Sequence, residues 1–261
     1  MSKDLSGKTA LVSGSTAGIG LAIARELGKR GALVWVNGRT EQRVQDAIAG
    51  IKQEVPNAKL RGVAADLTTQ AGAELVFDVV KSVDVLVNNL GGVNAYKPFI
   101  EVSDAEWQHV YDLNVISGVR LSRHYLPSMC DKNWGRVVFI ASDSGLQVPT
   151  EFIQYGVAKA AVIALARGIA ETLVGSGVTV NSVLPGPTLS ERIAKTIAAS
   201  GKSEAEFEKE FFEKRRANSL LRRFITVDEV ASMVGYVCSP AASATHGAAL
   251  RVEGGIVKSA F

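Results

Sequence analysis

Short runs rich in Val, Leu and Ile recur along the chain, and longer segments with helical periodicity separate most of them. The runs are TALVS (9–13), LVWVN (33–37), LRGVA (60–64), DVLVN (84–88), RVVFIA (136–141), VTVNSVL (178–184) and ALRVE (249–253). They lack clean alternation of apolar and polar positions, which is typical of strands covered on both faces. The helical segments are long enough to cross over between parallel strands. The pattern therefore predicts an α/β fold with a doubly wound parallel sheet of about seven strands.

The composition is that of an ordinary globular domain. The chain has 261 residues, of which 47% are hydrophobic and 21% charged, and no Pro- or Ser-rich linker divides it. We therefore expect a single domain over 1–261. The 29 basic and 26 acidic residues leave a net charge of +3 without a dense basic stripe. That balance argues against nucleic acid as the main partner.

Neither the cysteines nor the histidines form a metal-binding pattern. Two cysteines are too few for a disulfide framework, and the three histidines are scattered along the chain. We expect no metal site. The polar start MSKDLSGK has no apolar segment for secretion, and Arg167 and Glu171 interrupt the most apolar stretch, 160–174. We therefore expect a buried helix there, no membrane partner and a cytoplasmic location.

One segment departs from the alternation of strands and helices. Between Gly186 and Thr226 lies a charged stretch, SEAEFEKEFFEKRR, in which Phe207 and Phe211 share one face of a helix. Because the segment 186–225 follows a strand end, it occupies a position where lids over active sites are found. A solvated helical excursion would give the same pattern. Both interpretations stay open, and the substrate lid is the prediction taken forward.

The first predicted strand runs directly into a glycine-rich turn, SGSTAGIG, and a helical pattern follows. Gly14, Gly18 and Gly20 allow a tight turn and a close approach of the backbone to a pyrophosphate. The helix N-terminus then supplies N–H groups and a positive dipole to the anion. Such a turn could serve strand-to-helix packing alone, but its place at the first strand–helix junction favours dinucleotide binding. The predicted sheet is then of the Rossmann type.

The end of the second strand indicates which dinucleotide is bound. An acidic residue there would accept hydrogen bonds from the ribose hydroxyls of NAD, but this chain has Asn37-Gly38-Arg39. No carboxylate repels a 2′-phosphate, and the guanidinium of Arg39 is available to bind one. Arg39 would also fit as a surface residue at the start of the next helix. The sequence predicts NADP (NADPH) in preference to NAD.

A serine, a tyrosine and a lysine have a spacing that suits carbonyl chemistry. Ser142 follows the fifth predicted strand, and Tyr155 and Lys159 lie four residues apart on one face of a long predicted helix. A tyrosine hydroxyl titrates near pH ~10, and a nearby ammonium lowers that pKa. The tyrosine could then exchange a proton with a carbonyl or alcohol oxygen while a hydride moves to or from the cofactor. Ser142 could hold the same oxygen.

These motifs together resemble those of the short-chain dehydrogenase/reductase family, including its 3-oxoacyl reductases, along nearly the whole chain. The resemblance is carried by SGSTAGIG, Asp66-Leu67, NNLGG (88–92), Asn114 in LNVISG, Ser142, Tyr155 with Lys159, and Pro185-Gly186. It implies that Tyr155 is the general acid/base and that Lys159 lowers its pKa while holding the nicotinamide ribose. Ser142 would orient the substrate oxygen, and Asn114 would support a proton-relay water.

The same resemblance implies a set of cofactor contacts. The segment 186–190 would hold the nicotinamide side, Asp66-Leu67 the adenine, and Asn88 the adenosine ribose or the sheet itself. The expected cofactor-binding residues are Gly14, Ser15, Thr16, Gly18, Ile19, Gly20, Arg39, Asp66, Leu67, Asn88, Gly91, Tyr155, Lys159, Pro185, Gly186, Thr188 and Ser190. Ala17 stands where NADP-preferring members often carry a basic residue. That departure leaves Arg39 to recognise the 2′-phosphate largely alone.

The expected substrate pocket combines the loop after the fourth strand, the segment between Ser142 and Tyr155, and the 186–225 segment. Its candidate contacts are Tyr96, Phe99, Leu146, Val148, Phe152 and Leu189. They are mostly apolar, which fits a hydrophobic small-molecule carbonyl or alcohol but also any covered loop. The basic residues at 214–216 and 222–223 fit an anionic carrier such as an acyl thioester, or a solvated face.

Three functions remain open at this point. One is an NADP-dependent carbonyl reductase or alcohol dehydrogenase, with a 3-oxoacyl thioester as a named substrate. Another is a family member that acts on a sugar, a steroid or a xenobiotic carbonyl. The third is a catalytically silent nucleotide-binding sensor or scaffold, which would be expected to lose Tyr155 or Lys159. Since all four catalytic positions are filled, we predict an enzyme.

The family resemblance also implies a homo-oligomer, either a tetramer or a dimer. Long helices containing 104–126 and 152–174 would pack across one two-fold axis. The C-terminal tail GGIVKSAF would pack across another.

Overall fold

The computed structural model describes residues 3–93 and 97–260. Its main sheet has seven parallel strands in the order β3-β2-β1-β4-β5-β6-β9, and β7 and β8 pair separately. The strands are β1 (Thr9–Val12), β2 (Leu33–Gly38), β3 (Lys59–Ala64), β4 (Val85–Asn88), β5 (Gly135–Ile140), β6 (Val178–Pro185), β7 (Thr188–Leu189), β8 (Ile225–Thr226) and β9 (Ala249–Val252). All seven predicted apolar runs are strands of the main sheet, so the predicted doubly wound, single-domain Rossmann-type α/β fold is confirmed.

Helices connect most of these strands and cover both faces of the sheet. They are α1 (Gly18–Lys29), α2 (Glu41–Glu54), α3 (Gln70–Val79), α4 (Asp104–Tyr111), α5 (Ser117–Asp131), α6 (Ile153–Glu171), α7 (Glu191–Ser200), α8 (Glu204–Lys214) and α9 (Val227–Cys238). Val12 of β1 packs into a buried cluster with Leu27 of α1. Leu11 points to the opposite face, into a cluster with Tyr125 of α5 and Val162 of α6. Burial on both faces is why the strands read as continuous apolar runs.

The helix α6 is long and apolar enough to cross a membrane, by length and hydropathy alone. Core helices of globular domains meet the same criteria. Ala158, Val162, Ala166 and Ala170 of α6 are buried in the cluster that packs on the sheet. The helix is therefore part of the domain core, as the interrupting charges of its sequence predict.

A single helical rod runs from residue 104 to residue 131 in three parts. Ser103 and Glu106 form a capping box that starts α4, a π-helical turn follows at Asp112–Ile116, and α5 continues to its end. The π-turn contains Asn114, whose side chain is buried. Turns of this kind accommodate one residue more than an α-turn and are frequent at functional sites.

The segment 186–225 folds as β7, α7, α8 and β8. Phe207 and Phe211 stack with ring centroids 6.4 Å apart, and both rings also contact Phe224 beside β8. Phe212 completes this aromatic group and is buried. These ring contacts hold α8 against Phe224, the residue that precedes β8.

Candidate active site

A cavity of about 680 Å³ lies at the carboxyl ends of the parallel strands. It includes the point between β1 and β4 where the strand order reverses, which is where open α/β sheets bind their ligands. Predicted site residues from the ends of β1 through β6 meet there. Those that line the cavity are Gly14, Thr16, Ile19, Gly20, Arg39, Asp66, Leu67, Gly91, Ser142, Phe152, Tyr155, Lys159, Pro185, Gly186, Thr188 and Ser190.

The glycine-rich turn after β1 has the backbone that only glycine tolerates well. Gly14 and Gly18 have φ of +60° and +55°. A Cβ on Gly20 would lie 2.4 Å from the carbonyl oxygen of Gly14 and 2.4 Å from Nδ2 of Asn89. The next helix, α1, begins at Gly18, and its N-cap residue Ala17 has no side chain that caps it, whereas a capping Ser or Thr precedes α2, α3, α4, α8 and α9. The first N–H groups of α1 are thus left for an anion in the cavity.

Side chains of Asn37, Asn89 and Ser15 hold this turn in place by hydrogen bonds. Oδ1 of Asn37 accepts a hydrogen bond from the backbone N–H of Gly14, at 3.1 Å. Asn89 donates from Nδ2 to the carbonyl oxygens of Ser13 and Gly14, at 2.9 and 3.0 Å. Ser15 donates to the carbonyl oxygen of Val12 at 2.7 Å and accepts from the N–H of Asn37 at 3.0 Å. These bonds tie the turn to β2 and β4, so its shape is set by the sheet.

Two guanidinium groups line the cavity beyond the end of β2. Arg39 is where the sequence predicts a 2′-phosphate contact, and Arg43 of α2, one helical turn further on, lines the cavity as well. Across from them, burial raises the pKa of Asp66, but hydrogen bonds from Thr68 and the charge of Arg39 outweigh it and leave that pKa lowered. Arg39 is thus accompanied by a second arginine in this part of the cavity, which the sequence prediction did not include.

Ser142, Tyr155 and Lys159 all line the cavity, from the end of β5 and the first turns of α6. The ammonium of Lys159 lies 5.6 Å from the ring centroid of Tyr155 and donates to the carbonyl oxygen of Ile140 at 2.8 Å. Burial lowers the pKa of Lys159 to about 8. The ring of Phe152 lies 5.8 Å from that of Tyr155. A phenolic hydroxyl, a cation and a second hydroxyl thus share one concave surface.

Asp143 is a buried acid beside Ser142 that the sequence prediction did not include. Its Oδ1 accepts hydrogen bonds from Oγ of Ser142 at 2.9 Å and from the N–H of Ser144 at 2.8 Å. Burial raises the pKa of Asp143; the Ser142 bond and the charge of Arg216 oppose that rise, and Glu253 adds to it. The protonation state of this carboxyl determines whether the Ser142 hydroxyl can donate a hydrogen bond to another acceptor.

Asn114 lies behind the cavity wall. Its Nδ2 donates to the carbonyl oxygens of Gly92 and Val110 at 2.9 and 2.8 Å, and its Oδ1 accepts from the N–H of Gly92 at 3.0 Å. A Cβ on Gly91 would lie 2.7 Å from Oδ1 of Asn114 and 2.8 Å from Nζ of Lys159. Asn114 and Lys159 therefore approach the same glycine, and Asn114 fixes the loop after β4.

Several other predicted residues do not line the cavity. Ser15 and Gly18 shape the glycine turn from behind. Asn88 is buried and donates to Ser122 of α5 at 3.0 Å, which favours the second of its two predicted roles, support of the sheet. Among the predicted substrate contacts, those outside the lining are Phe99, Leu146, Val148 and Leu189.

These four apolar side chains have other neighbours. Phe99 packs edge-on against Trp107 and is exposed, and so are Leu146 and Val148. Leu189 is paired with Thr226 in the small sheet. Apolar residues in loops can pack on local neighbours or line a substrate pocket. Residue type alone does not distinguish these two roles. Tyr96 lies outside the residues that the structure describes.

The cavity contains residues that sequence reasoning missed, from segments distant in the chain. Apart from Arg43 and Asp143, they include Asn89, His109 and Arg192. Phe211, Arg215 and Arg216, which belong to the segment predicted as a lid with a basic stretch, line the cavity as well. The glycine motif NNLGG was a usable signal for Asn89. Within residues 3–93 and 97–260, no three His, Cys, Asp or Glu side chains cluster as a metal ion would require.

Known proteins are similar to this chain over almost its full length. Residues 14–257 match the family described as enoyl-(acyl carrier protein) reductase. The uncharacterised oxidoreductase YvaG of Bacillus subtilis is 40% identical over 100% of both chains. The 3-oxoacyl-acyl-carrier-protein reductase FabG of Aquifex aeolicus is 31% identical, over 97% of this chain and 98% of FabG. L-Sorbose reductase from Gluconobacter frateurii, complexed with NADPH and L-sorbose, has a TM-score of 0.90 and 28% identity, over 99% of this chain and 100% of that protein.

Proposed function

This chain belongs to the short-chain dehydrogenase/reductase family, and we propose that it is an NADP(H)-dependent enzyme that interconverts a small carbonyl compound and its alcohol. Oxidoreductase chemistry at a carbonyl or alcohol group is common to its relatives. The observation that carries the proposal is the meeting of Ser142, Tyr155 and Lys159 on the cavity that the glycine turn borders. A proton donor and a nucleotide site thereby share one space, as carbonyl reduction requires.

The residues of this chain present the groups that a proton transfer needs. Tyr155 gives its hydroxyl proton to the substrate oxygen in reduction and takes it back in oxidation. The Lys159 ammonium, 5.6 Å from the tyrosine ring centroid, stabilises the phenolate left behind. Ser142 hydrogen-bonds the same oxygen and fixes its position. Asn114 supports a proton-relay water through the loop it holds, in addition to its structural bonds.

The cavity fits a dinucleotide on three structural grounds. The first N–H groups of α1 have no capping side chain, a side chain at Gly20 would fill the space at the turn, and the volume is about 680 Å³. Gly14, Thr16 and Ile19 would hold the pyrophosphate, and Asp66 with Leu67 the adenine. When bound, the nicotinamide supplies or accepts the hydride.

Selectivity for NADP follows from the charges beyond β2. Arg39 and Arg43 both line this part of the cavity, and a guanidinium binds a phosphate more strongly than it binds a ribose hydroxyl. Asn37 stands where a carboxylate would favour NAD, and its amide is fully used in bonds to Gly14, Val63 and Ala65. We therefore expect NADPH to be the better cofactor.

Similarity of this chain to known enzymes narrows the candidate substrates to two classes, a ketose and a 3-oxoacyl thioester. The first follows from likeness to L-sorbose reductase and the second from likeness to FabG. The segment 186–225 would act as a lid, since Thr188, Ile193 and Phe211 from it line the cavity. A catalytically silent sensor is the remaining alternative, and the filled positions Ser142, Tyr155 and Lys159 speak against it.

Turnover with a matched variant tests the proposal. Wild-type protein is assayed for oxidation of NADPH and NADH with L-sorbose, 5-keto-D-gluconate, acetoacetyl-CoA and simple ketones. We expect NADPH-dependent reduction, a loss of roughly 10²- to 10⁴-fold in kcat in Tyr155→Phe, and no change in the exposed control Tyr236→Phe. Failure to bind either nucleotide would contradict the proposal. Binding without turnover over the panel would favour the silent sensor, and NADH as good as NADPH would overturn the cofactor preference.

Assembly and compartment complete the proposal. We expect a homotetramer or homodimer, since Tyr111 at the end of α4 and Val157 on α6 expose apolar surface on the two helices that the family resemblance implicates. Light scattering that gives a monomer would contradict this. Cys130 and Cys238 form no disulfide with each other, which fits the reducing cytoplasm.

A further inference from the structure

Two arginines at the end of α8 line the cavity, and one of them acts on the acid beside Ser142. Arg215 and Arg216 follow the last helical turn, and both contribute to the same cavity as Ser142 and Tyr155. Among the residues that the structure describes, neither guanidinium has a carboxylate within 4.0 Å. The positive charge of Arg216 is close enough to Asp143 to lower the pKa of that carboxyl. Positive charge therefore stands near the serine that is proposed to hold the reacting oxygen.

The backbone that carries Arg216 is fixed on both sides. Before it, Phe211 packs on Phe224 with ring centroids 5.0 Å apart. After it, Asn218 donates to Oε1 of Gln147 at 3.3 Å, and the N–H of Leu220 donates to the carbonyl oxygen of Gly254 at 2.9 Å. Arg216 itself is half-buried. Its position is built by contacts to β5, β8 and β9 segments, unlike that of a lysine on a solvated helix face.

The other arginines of the cavity are accounted for by the nucleotide. Arg39 and Arg43 lie beyond β2, where Arg39 faces Asp66. Arg192 follows Glu191, a residue whose pKa is lowered by Lys195 and, more weakly, by Arg43. We assign these three arginines to the adenosine and phosphate side of the proposed cofactor. Arg215 and Arg216 are left without a ligand by that assignment.

The acids near the two arginines form no ion pair with them among the described residues. Asp143 is buried, which raises the pKa of its carboxyl, and its Oδ1 accepts hydrogen bonds from Ser142 and Ser144 instead. Glu151 also lines the cavity but is exposed to solvent, where its charge is screened. A half-buried arginine in a cavity binds an anion well, because its planar N–H groups match the two oxygens of a carboxylate.

We propose that Arg216, assisted by Arg215, binds a carboxylate carried by the carbonyl substrate, so that the substrate class is that of keto acids and hydroxy acids. This inference rests on the proposed carbonyl–alcohol chemistry and adds the charge of the substrate to it. In a short keto acid the carboxylate lies a few bonds from the carbonyl, and one molecule would place these two groups on Arg216 and Ser142, which line the same cavity. The phosphate of a thioester carrier is many bonds from the reacting carbonyl, which disfavours it here.

A matched pair of substrates isolates the carboxylate. 5-Keto-D-gluconate is L-sorbose with its distal hydroxymethyl group oxidised to a carboxylate, so the two differ by the proposed contact alone. We expect wild-type kcat/KM to favour the acid. Arg216→Met should lower kcat/KM for the acid by about tenfold to a hundredfold, chiefly through KM, and leave L-sorbose within about twofold. Arg216→Lys should recover part of the loss. Lys214→Met, which removes a neighbouring cation paired with Glu210 outside the cavity, should change neither substrate.

If Arg216→Met loses kcat/KM equally for both substrates, the residue has a structural role and the inference is overturned. A wild-type kcat/KM that favours L-sorbose would also overturn the inference. A loss confined to acetoacetyl-CoA would assign the anion to the carrier phosphate and overturn it as well. Failure of the carbonyl chemistry itself looks different, because neither substrate would be reduced by any variant.

Calorimetric titration with 5-keto-D-gluconate and L-sorbose then decides. If the wild-type protein binds 5-keto-D-gluconate but not L-sorbose, and Arg216→Met loses this binding, the anion site is supported. If the wild-type protein does not bind the acid, the site is ruled out.

Discussion

Oγ of Ser142 donates a hydrogen bond to Oδ1 of Asp143 at 2.9 Å, and both side chains are buried. A hydroxyl has one proton, so an ionised Asp143 holds it and leaves Ser142 only lone pairs for the substrate oxygen. A protonated Asp143 can donate to Ser142 instead and release the serine proton toward a carbonyl. Arg216 and Glu253 act on this carboxyl from two other segments, with opposite effects on its pKa.

The first prediction concerns the pH dependence that Asp143 imposes. Since its pKa is raised, reductive kcat/KM should fall as pH rises through an inflection above the ordinary Asp value of ~4. In Asp143→Asn the inflection should vanish, because an amide does not titrate. The control Ser144→Ala, whose hydroxyl lies at 3.4 Å from Asp143, should keep it. Superimposable profiles of wild type and Asp143→Asn would show that Asp143 has no part in positioning Ser142.

A second prediction follows from the buried ammonium of Lys159. Its pKa is lowered by burial from 10.5 to about 8, so reductive kcat/KM should fall above about pH 8 as the ammonium is lost. Between about pH 8 and 10.5 the unfolded chain binds the extra proton, and wild-type stability should rise with pH in that window. Lys159→Met should lower kcat roughly 10²- to 10⁴-fold and lack this rise. Rate–pH profiles and urea melts of both proteins measure the two effects, and a rise that persists in Lys159→Met would assign it to another group.

A third prediction separates Arg43 from the rest of the nucleotide site. Arg43→Ala should weaken NADPH binding by about tenfold and leave NADH binding unchanged, since only NADPH carries a 2′-phosphate. Fluorescence titration with each nucleotide gives the two Kd values. Arg61→Ala on β3 is the matched control, because that side chain lies over Trp35 outside the cavity. Equal weakening of both nucleotides would assign Arg43 to the shared part of the cofactor.

A fourth prediction uses the crowding around Gly91. A methyl group there would lie 2.7 Å from Oδ1 of Asn114 and 2.8 Å from Nζ of Lys159. Gly91→Ala should therefore displace the ammonium and lower kcat at least tenfold, as misplacement of a catalytic group does. Gly50→Ala is the matched control and should retain full activity, because a methyl group at Gly50 would meet no heavy atom within 4 Å. A fully active Gly91→Ala would mean that Lys159 moves without cost.

A fifth prediction tests whether Ser15 supports the turn or binds the cofactor. Ser15→Ala leaves the buried N–H of Asn37 without its partner at 3.0 Å, which should reduce the free energy of unfolding by about 1–3 kcal/mol. NADPH affinity should fall little once the protein is folded. Thr172→Ala, which removes only a local bond to Ile169 at a helix end, should change stability by less than about 0.5 kcal/mol. Denaturant melts and NADPH titration measure the two effects. Unchanged stability with weaker NADPH binding in Ser15→Ala would make Ser15 a cofactor contact.

The parts of the fold set by local pattern could be predicted from the sequence. Strands buried on both faces read as continuous apolar runs, so all seven could be recognised. Tyr155 and Lys159 are four residues apart on α6, and helix geometry alone places them on one face. The glycine turn is recognisable because its sequence sits directly between β1 and α1.

The rest depends on packing between distant segments. Arg216 reaches the side of Ser142 only because α8 is held by Phe224 and by bonds to Gln147 and Gly254. No pattern near residue 216 contains that information. Phe99 lies outside the cavity lining for the complementary reason, since the type of an apolar side chain does not determine which surface it will cover.

The π-turn at Asp112–Ile116 makes the protein unequally tolerant of changes in length. The turn absorbs one extra residue between α4, which packs on α6, and α5, which packs on β4 and β5. Loss of one residue there would restore an unbroken α-helix and leave both halves on the faces they now pack with, because the wider π-turn accommodates that residue alone. The backbone would gain regularity and Asn114 would leave the loop it holds. A deletion harmless to helix content and to helix packing would thus release the loop after β4 from Asn114, so the shape of the cavity depends on the number of residues in this one turn.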